Sequence, residues 1–229
     1  MKKKKSEIRM FCEFVVPPML IWASVVVIPL IYGIYLTFTN WNGLSPNYDI
    51  VGISNYVSIF TDKTFLTSLW KTFIYVFFVV VFSNVLGLAL ALLLTYGIKL
   101  QGLFRTCFFA ANMIGGVVMG YIWNYIFSFA LTKIGAVTGW SIFQKSWLTS
   151  PNTALISLII VAVWQLSGYL MVIYVAGLTN VSQDMLEAAK IDGCTRLQIF
   201  FKIVLPLMKP ILSTITILNT LGLWNDYLL

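Results

Sequence analysis

The chain contains no histidine among its 229 residues, which removes the commonest metal ligand and the side chain that titrates nearest neutral pH. Charge is scarce as well, at 10% of residues, and only 8 positions are acidic. A surface this poor in ions cannot solvate a globule of this size, and a hydrophobic fraction of 59% with a mean hydropathy of +0.89 confirms the deficit. The three cysteines, Cys12, Cys107 and Cys194, are odd in number and lack metal-ligand spacing, so free thiols are expected. A phosphate-binding G-x-x-x-x-G-K-[ST] loop is missing too, which excludes a nucleotide site of that type within the chain. No stretch between apolar runs is long enough to bury a core of its own.

What is present is long apolar runs. No charge falls in residues 14–48, 72–98, 106–132 or 154–178, and a fifth run, Leu207 to Leu229, reaches the last residue. About 20 residues suffice to cross roughly 30 Å of hydrocarbon. The expectation is an all-α polytopic membrane protein with five transmembrane helices in one domain over residues 1–229. The spans are placed at about Phe14–Phe38, Thr72–Tyr96, Cys107–Phe129, Thr153–Leu178 and Leu207–Leu229. Pro17, Pro18 and Pro29 predict kinks or a late start in the first span. Gly116 and Gly120 in the third form a G-x-x-x-G pair suited to close helix approach.

The net charge of +7 does not point to nucleic acid, because its lysines and arginines sit at span ends. With the N-terminus inside, eleven of the 15 basic residues fall inside, including Lys2 to Lys5 and Arg9. Lys63, Lys71, Lys133 and Lys145 fall outside, so the positive-inside rule puts the N-terminus in the cytoplasm. The run after Lys5 is too long for a signal peptide and lacks a small-x-small cleavage site, so Lys2 to Lys5 read as a retained anchor. Residues 40–69 then form an outer segment and 99–105 a short inner loop, and residues 181–206 return to the cytoplasm.

That last loop has a legible local structure. Ser182 is an acceptable N-cap, Asp184 lies in the first turn, and Met185 to Ile191 are good helix formers. Gly193 supplies the positive φ that ends the helix, and Thr195-Arg196-Leu197-Gln198 matches a capping box opening a second helix. Leu205-Pro206 should bend or end that second helix.

Glu187-Ala188-Ala189, Asp192-Gly193, Phe200, Ile203, Leu205 and Pro206 together resemble the EAA loop of binding-protein-dependent ABC transporter permeases. Asn40-Trp41, Val51-Gly52-Ile53-Ser54-Asn55-Tyr56, Gly115-Gly116, Tyr121-Ile122-Trp123 and Trp164-Gln165 resemble the maltose-type sugar permeases, so the similarity covers essentially the whole chain. The resemblance implies a non-enzymatic transport subunit of a bacterial-type plasma membrane. It would have no cofactor of its own, ATP being bound by a cytoplasmic ATPase dimer. The other implied partners are a second permease subunit, an extracytoplasmic solute-binding protein and membrane lipid. It assigns Glu187, Ala188, Ala189, Asp192, Gly193, Leu205 and Pro206 to coupling with the ATPase. Relatives usually continue past Trp224-Asn225-Asp226-Tyr227 into a sixth span, so a truncated product is expected. Ala111-Asn112 stands where many relatives have Pro-Asn, which predicts a straighter third span.

Candidate solute-pathway residues are the neutral amides and aromatics at mid-membrane depth: Asn84, Asn112, Trp123, Asn124, Trp164, Gln165, Tyr169 and Asn219, with Ser167 beside them. Amides beside aromatic faces suit a sugar, and no charge lies in the first four spans to neutralise an ion. Helix-to-helix hydrogen bonding explains any single one of them equally well. An ABC permease for an amino acid, a polyol or glycerol phosphate stays open as an alternative. An ion-gradient-driven transporter would need an intramembrane charge, and only Asp226 comes near.

Overall fold

The computed structural model describes residues 10–95 and 99–228, with the side chains of 226–228 excepted. The basic anchor at Lys2 to Lys5 and the Asp226 side chain lie outside the described residues. Apart from an isolated bridge between Thr39 and Ile50, the regular structure described is helical. Five described helices are long and apolar enough to cross a membrane. By compactness the chain divides into Met1–Leu69 and Trp70–Leu229.

In the first unit, α1 (Met10–Leu36) passes through a π-turn at Ala23–Val27, just before Pro29. Proline lacks the N–H that the preceding turn would use, and the widened turn accommodates it without ending the helix. Beyond α1 the backbone doubles back, with the Val51 N–H donating to the Phe38 carbonyl at 2.8 Å. Asn55, in α2 (Ser54–Thr61), donates from Nδ2 to the carbonyls of Thr37 and Thr39 at 2.9 and 2.7 Å. The Tyr56 hydroxyl meets Thr37 Oγ1 at 2.7 Å. Asn55 is therefore a clamp on carbonyls at the end of α1, and Tyr56 holds the Thr37 hydroxyl beside it.

Asp62 Oδ1 accepts from the Thr64 N–H at 2.7 Å and caps α3 (Lys63–Thr95), which carries the chain into the second unit. There, α4 (Gln101–Met113) and α5 (Gly116–Thr138) precede α6 (Pro151–Thr179), which Pro151 opens at a first-turn position. Next comes the short α7 (Gln183–Ile191). Finally α8 begins at Arg196, widens into a π-turn at Phe200–Val204 and continues as Leu205–Leu228.

Three glycines set the spacing around α6. A Cβ on Gly168 would lie 2.0 Å from the Phe108 carbonyl oxygen of α4. One on Gly87 of α3 would lie 2.7 Å from Leu170 Cβ, and one on Gly177 would lie 2.8 Å from Ile211 of α8. Around these contacts a core forms from Ala91 and Leu94 of α3, Leu170, Met171, Tyr174 and Val175 of α6, Ala189 of α7, and Ile199, Met208 and Ile215 of α8.

Three expectations are corrected. The third span is not one straight helix over Cys107–Phe129: Ile114 and Gly115 are extended, with ψ of 124° and 142°, and split α4 from α5. Two consecutive glycines weaken the helix enough that replacing the expected proline with Ala111 does not restore it. Of the bend or end expected at Leu205-Pro206, the end does not occur, because the π-turn just before Pro206 absorbs the missing donor and α8 runs on. Gly116 and Gly120 have nothing within 4 Å of a built Cβ, so no described helix of the second unit packs closely on that pair.

Gly168→Leu should therefore remove the folded protein from detergent extracts by size-exclusion chromatography, since its Cβ meets backbone that cannot rotate away. Gly120→Leu should leave the elution profile unchanged.

Candidate coupling helix and solute-pathway residues

α7 is held differently at its two ends. Ser182 occupies the N-cap position but its hydroxyl makes no capping bond, so the N-terminus relies on Asp184 in the first turn. At the other end Gly193 has φ +79°. The Cys194 N–H donates to the Ala189 carbonyl at 3.0 Å and the Gly193 N–H to the Lys190 carbonyl at 3.1 Å. These two bonds define a Schellman motif. Its usual apolar contact is present too, since Cys194 packs on the cluster that contains buried Ala189. A small apolar residue after the glycine is thus part of the turn.

One residue later the capping box forms. The Gln198 N–H donates to Thr195 Oγ1 at 3.3 Å, and the Thr195 N–H donates to Gln198 Oε1 at 2.8 Å. Helix, turn and helix are thereby joined with their end groups satisfied on both sides of Gly193.

The predicted coupling residues do not share one surface. Glu187, Ala188, Asp192 and Gly193 are exposed, whereas Ala189 is buried and packs inward. Leu205 is half-buried and Pro206 exposed, both farther along α8. Two residues that were not anticipated flank the turn, Ile191 at 86% exposure and Leu197 at 70%. Large aliphatic residues in an otherwise polar loop were the signal that could have found them.

Among the amide and aromatic candidates, Trp123 and Trp164 are brought together, ring centroids 5.5 Å apart at 73°. Trp123 also stacks on Phe127, and its indole N–H points at Met119 Sδ at 3.1 Å. Asn84 is engaged structurally: its carbonyl oxygen accepts from the Tyr174 hydroxyl, while its Nδ2 donates to the Val80 carbonyl at 2.6 Å. Tyr174 is fully buried, so this is a strut between α3 and α6 that an apolar helix pattern does not announce. Ser167 Oγ is spent on the Trp164 carbonyl at 2.9 Å.

Asn112 and Gln165 are half-buried, Asn124 and Tyr169 exposed, and none of their side chains bonds another among the described residues. Asn219 Nδ2 is buried with no partner among the described residues. Trp164 and Ser167 also line a cavity of about 560 Å³ whose other walls are Phe82, Val85, Leu86, Leu90, Phe108, Ile160 and Val163. That lining is too apolar for a polyhydroxylated solute.

The second unit's sequence decides the family. The family model for the binding-protein-dependent transport system inner membrane component matches residues 83–229. The chain belongs to this family. It is accordingly a multi-pass inner-membrane component, a transport subunit and not an enzyme. It is 38% identical over 220 residues to the probable starch degradation products transport system permease protein AmyD of Thermoanaerobacterium thermosulfurigenes, an alignment covering 94% of this chain and 74% of that protein. It is 31% identical over 205 residues to the multiple sugar-binding transport system permease protein MsmF of Streptococcus mutans, covering 90% and 71%. In fold it matches a chain of a bacterial ABC transporter involved in the import of the acidic polysaccharide alginate, with a TM-score of 0.77 at 18% identity over 95% of this chain and 74% of that one.

Two substitutions test the geometry. Tyr174→Phe strands the Asn84 oxygen between helices and should cost about 1–3 kcal/mol, read as a lower thermal midpoint of the purified protein. Gly193→Ala meets no steric obstacle but must hold a positive φ, and should cost about 1 kcal/mol.

Proposed function

We propose that this chain is the permease subunit that forms part of the solute path of an ATP-driven ABC importer for a carbohydrate, with residues 1–229 acting as one transmembrane domain. The observation that carries the proposal is the interruption at Ile114 and Gly115. Non-helical backbone at membrane depth is tolerated only inside protein or along a water-filled cavity, because lipid cannot satisfy its amides. α4 packs against α6 at Gly168, well inside that span, yet Gly115 in the interruption and Gly116 just beyond it are exposed on this chain. A second permease subunit with a solute path between the two supplies the missing surroundings. Asn112 lies two residues before the interruption, and Asn124 and the Trp123–Trp164 pair lie farther along, offering amides and ring faces to a sugar. The names of AmyD and MsmF, which refer to starch degradation products and to multiple sugars, support the same solute class.

Energy enters through α7. The distribution of basic residues puts the N-terminus and α7 in the cytoplasm. There Asp184, Glu187, Ala188 and Ile191 recur at three- and four-residue spacing and form one outward stripe for an ATPase subunit. The two-sided capping around Gly193 makes the elbow stiff enough to pass force into α8. An extracytoplasmic binding protein delivers the solute to the opposite end.

The test is reconstitution of the complete transporter in vesicles with its ATPase and binding protein. ATP hydrolysis should rise when a maltooligosaccharide-loaded binding protein is added outside. No rise with any carbohydrate, together with a rise on an amino acid or glycerol phosphate, would move the solute class. Gly193→Val should keep the ATPase bound but lower uptake per ATP hydrolysed, and normal uptake in that variant would remove α7 as the coupling element.

A further inference from the structure

Beneath α7 lies a cavity of about 450 Å³ that none of the assignments above uses. Its walls come from the last turns of two spans, Leu92 and Thr95 of α3 and Leu178 of α6, and from α7 and the start of α8. It therefore sits where hydrocarbon gives way to headgroups. Most of the wall is aliphatic, with Leu186, Ile199 and Val204 completing it. Two cations stand in the same wall, Lys190 and Arg196, and neither forms an ion pair among the described residues. No acidic residue lines the cavity.

We propose that this cavity binds an anionic glycerophospholipid, its phosphate between Lys190 and Arg196 and an acyl chain along Leu92, Leu178, Leu186 and Ile199. Charge complementarity commits the site to an anion, and the aliphatic wall at the end of two spans commits it to an anion with a tail. Arg offers a planar fork for phosphate oxygens and Lys a mobile point charge. Arg196 is also the first helical residue of α8, where the helix dipole favours negative charge.

An acidic element of a protein partner is the less fitting occupant. Gln183, Leu186 and Lys190 recur at spacings of three and four and turn one stripe of α7 into the cavity. Asp184, Ala188 and Ile191 form the next stripe, rotated roughly a third of a turn away. A partner can dock on the outward stripe while the lipid fills the other, and the lipid would then seat the root of α7 on the membrane. The site rests on the cavity and its charges, and holds whatever solute the transporter carries.

The complete transporter, in nanodiscs of equal phosphatidylcholine and phosphatidylglycerol, is extracted into mild detergent and its retained lipids are counted by native mass spectrometry. Wild type should retain phosphatidylglycerol in preference to phosphatidylcholine, and a photoreactive phosphatidylglycerol should crosslink within residues 183–204. Lys190→Gln with Arg196→Gln should lower the preference by about thirtyfold, since the two basic groups contribute comparably near an anionic headgroup and their effects combine. The charge-conserving pair Lys190→Arg with Arg196→Lys should keep it, as should Lys202→Gln with Lys209→Gln. Equal retention of both lipids by wild type, an unchanged preference in the Gln pair, or crosslinks confined to other segments would overturn the site. Displacement of phosphatidylglycerol by inorganic phosphate alone would overturn the lipid assignment. If the Gln pair fails to fold, the wild-type crosslink position decides. Because the readout is lipid count, the site stands or falls independently of sugar-stimulated hydrolysis.

Discussion

The second unit depends on one contact: the backbone of α6 at Gly168 lies so close to the Phe108 carbonyl of α4 that any side chain there would overlap it. Between helices in lipid there is no hydrophobic drive to association, so van der Waals contact at short range must supply it. Gly87 and Gly177 repeat the device toward α3 and α8, and the buried Tyr174–Asn84 bond fixes the register of α6 on α3. α7 begins four residues after α6 ends, and Val181 between them is buried. The position of α7 is therefore inherited from α6, and a perturbation at its outward face is passed to a helix that is locked against three others.

The interruption between α4 and α5 follows from the same economy. α4 is held by its close packing on α6, but α5 is largely exposed and presents Gly116 and Gly120 to open space. Small residues on a helix face with no partner in the chain make sense where another surface approaches, and the extended peptide at Ile114 and Gly115 needs polar surroundings of its own. Both requirements fall on one face, next to Asn112. A two-subunit path satisfies them together, whereas a lipid-facing α5 would leave the backbone groups unpaired.

Where local chemistry dictates structure, the sequence was readable. Apolar run lengths placed four of the five described long helices and misplaced the third, and Gly193, Thr195 and Gln198 announced the two caps because each acts on residues close by in sequence. What escaped depends on distant partners. Gly168 reads like any glycine in a membrane helix until Phe108 is seen against it, and Asn84 reads as a solute ligand until Tyr174, ninety positions away, is found on it. Pro29 and Pro206 do not end their helices, since the π-turns before them absorb locally what a regular helix could not. The Gly115-Gly116 pair was visible, but read as part of a family likeness, and Gly116 with Gly120 for packing, and not for the break it makes.

Magnitudes decide which side chains could hold a partner on α7. The family motif draws the eye to Glu187, yet an exposed ion pair contributes about 0–1 kcal/mol and weakens with salt. Ile191 and Leu197 stand largely exposed on either side of the Gly193 turn. Covering an aliphatic side chain of that size contributes about 1.5–3 kcal/mol. On the docking reading, then, the two aliphatic groups supply most of the hold, and Glu187 sets orientation. Their placement also explains why the turn between them must be stiff. Two apolar contacts on opposite sides of a flexible elbow could be satisfied one at a time, but across a Schellman turn and a capping box they move as one body, so that a partner gripping both must carry α8 with it.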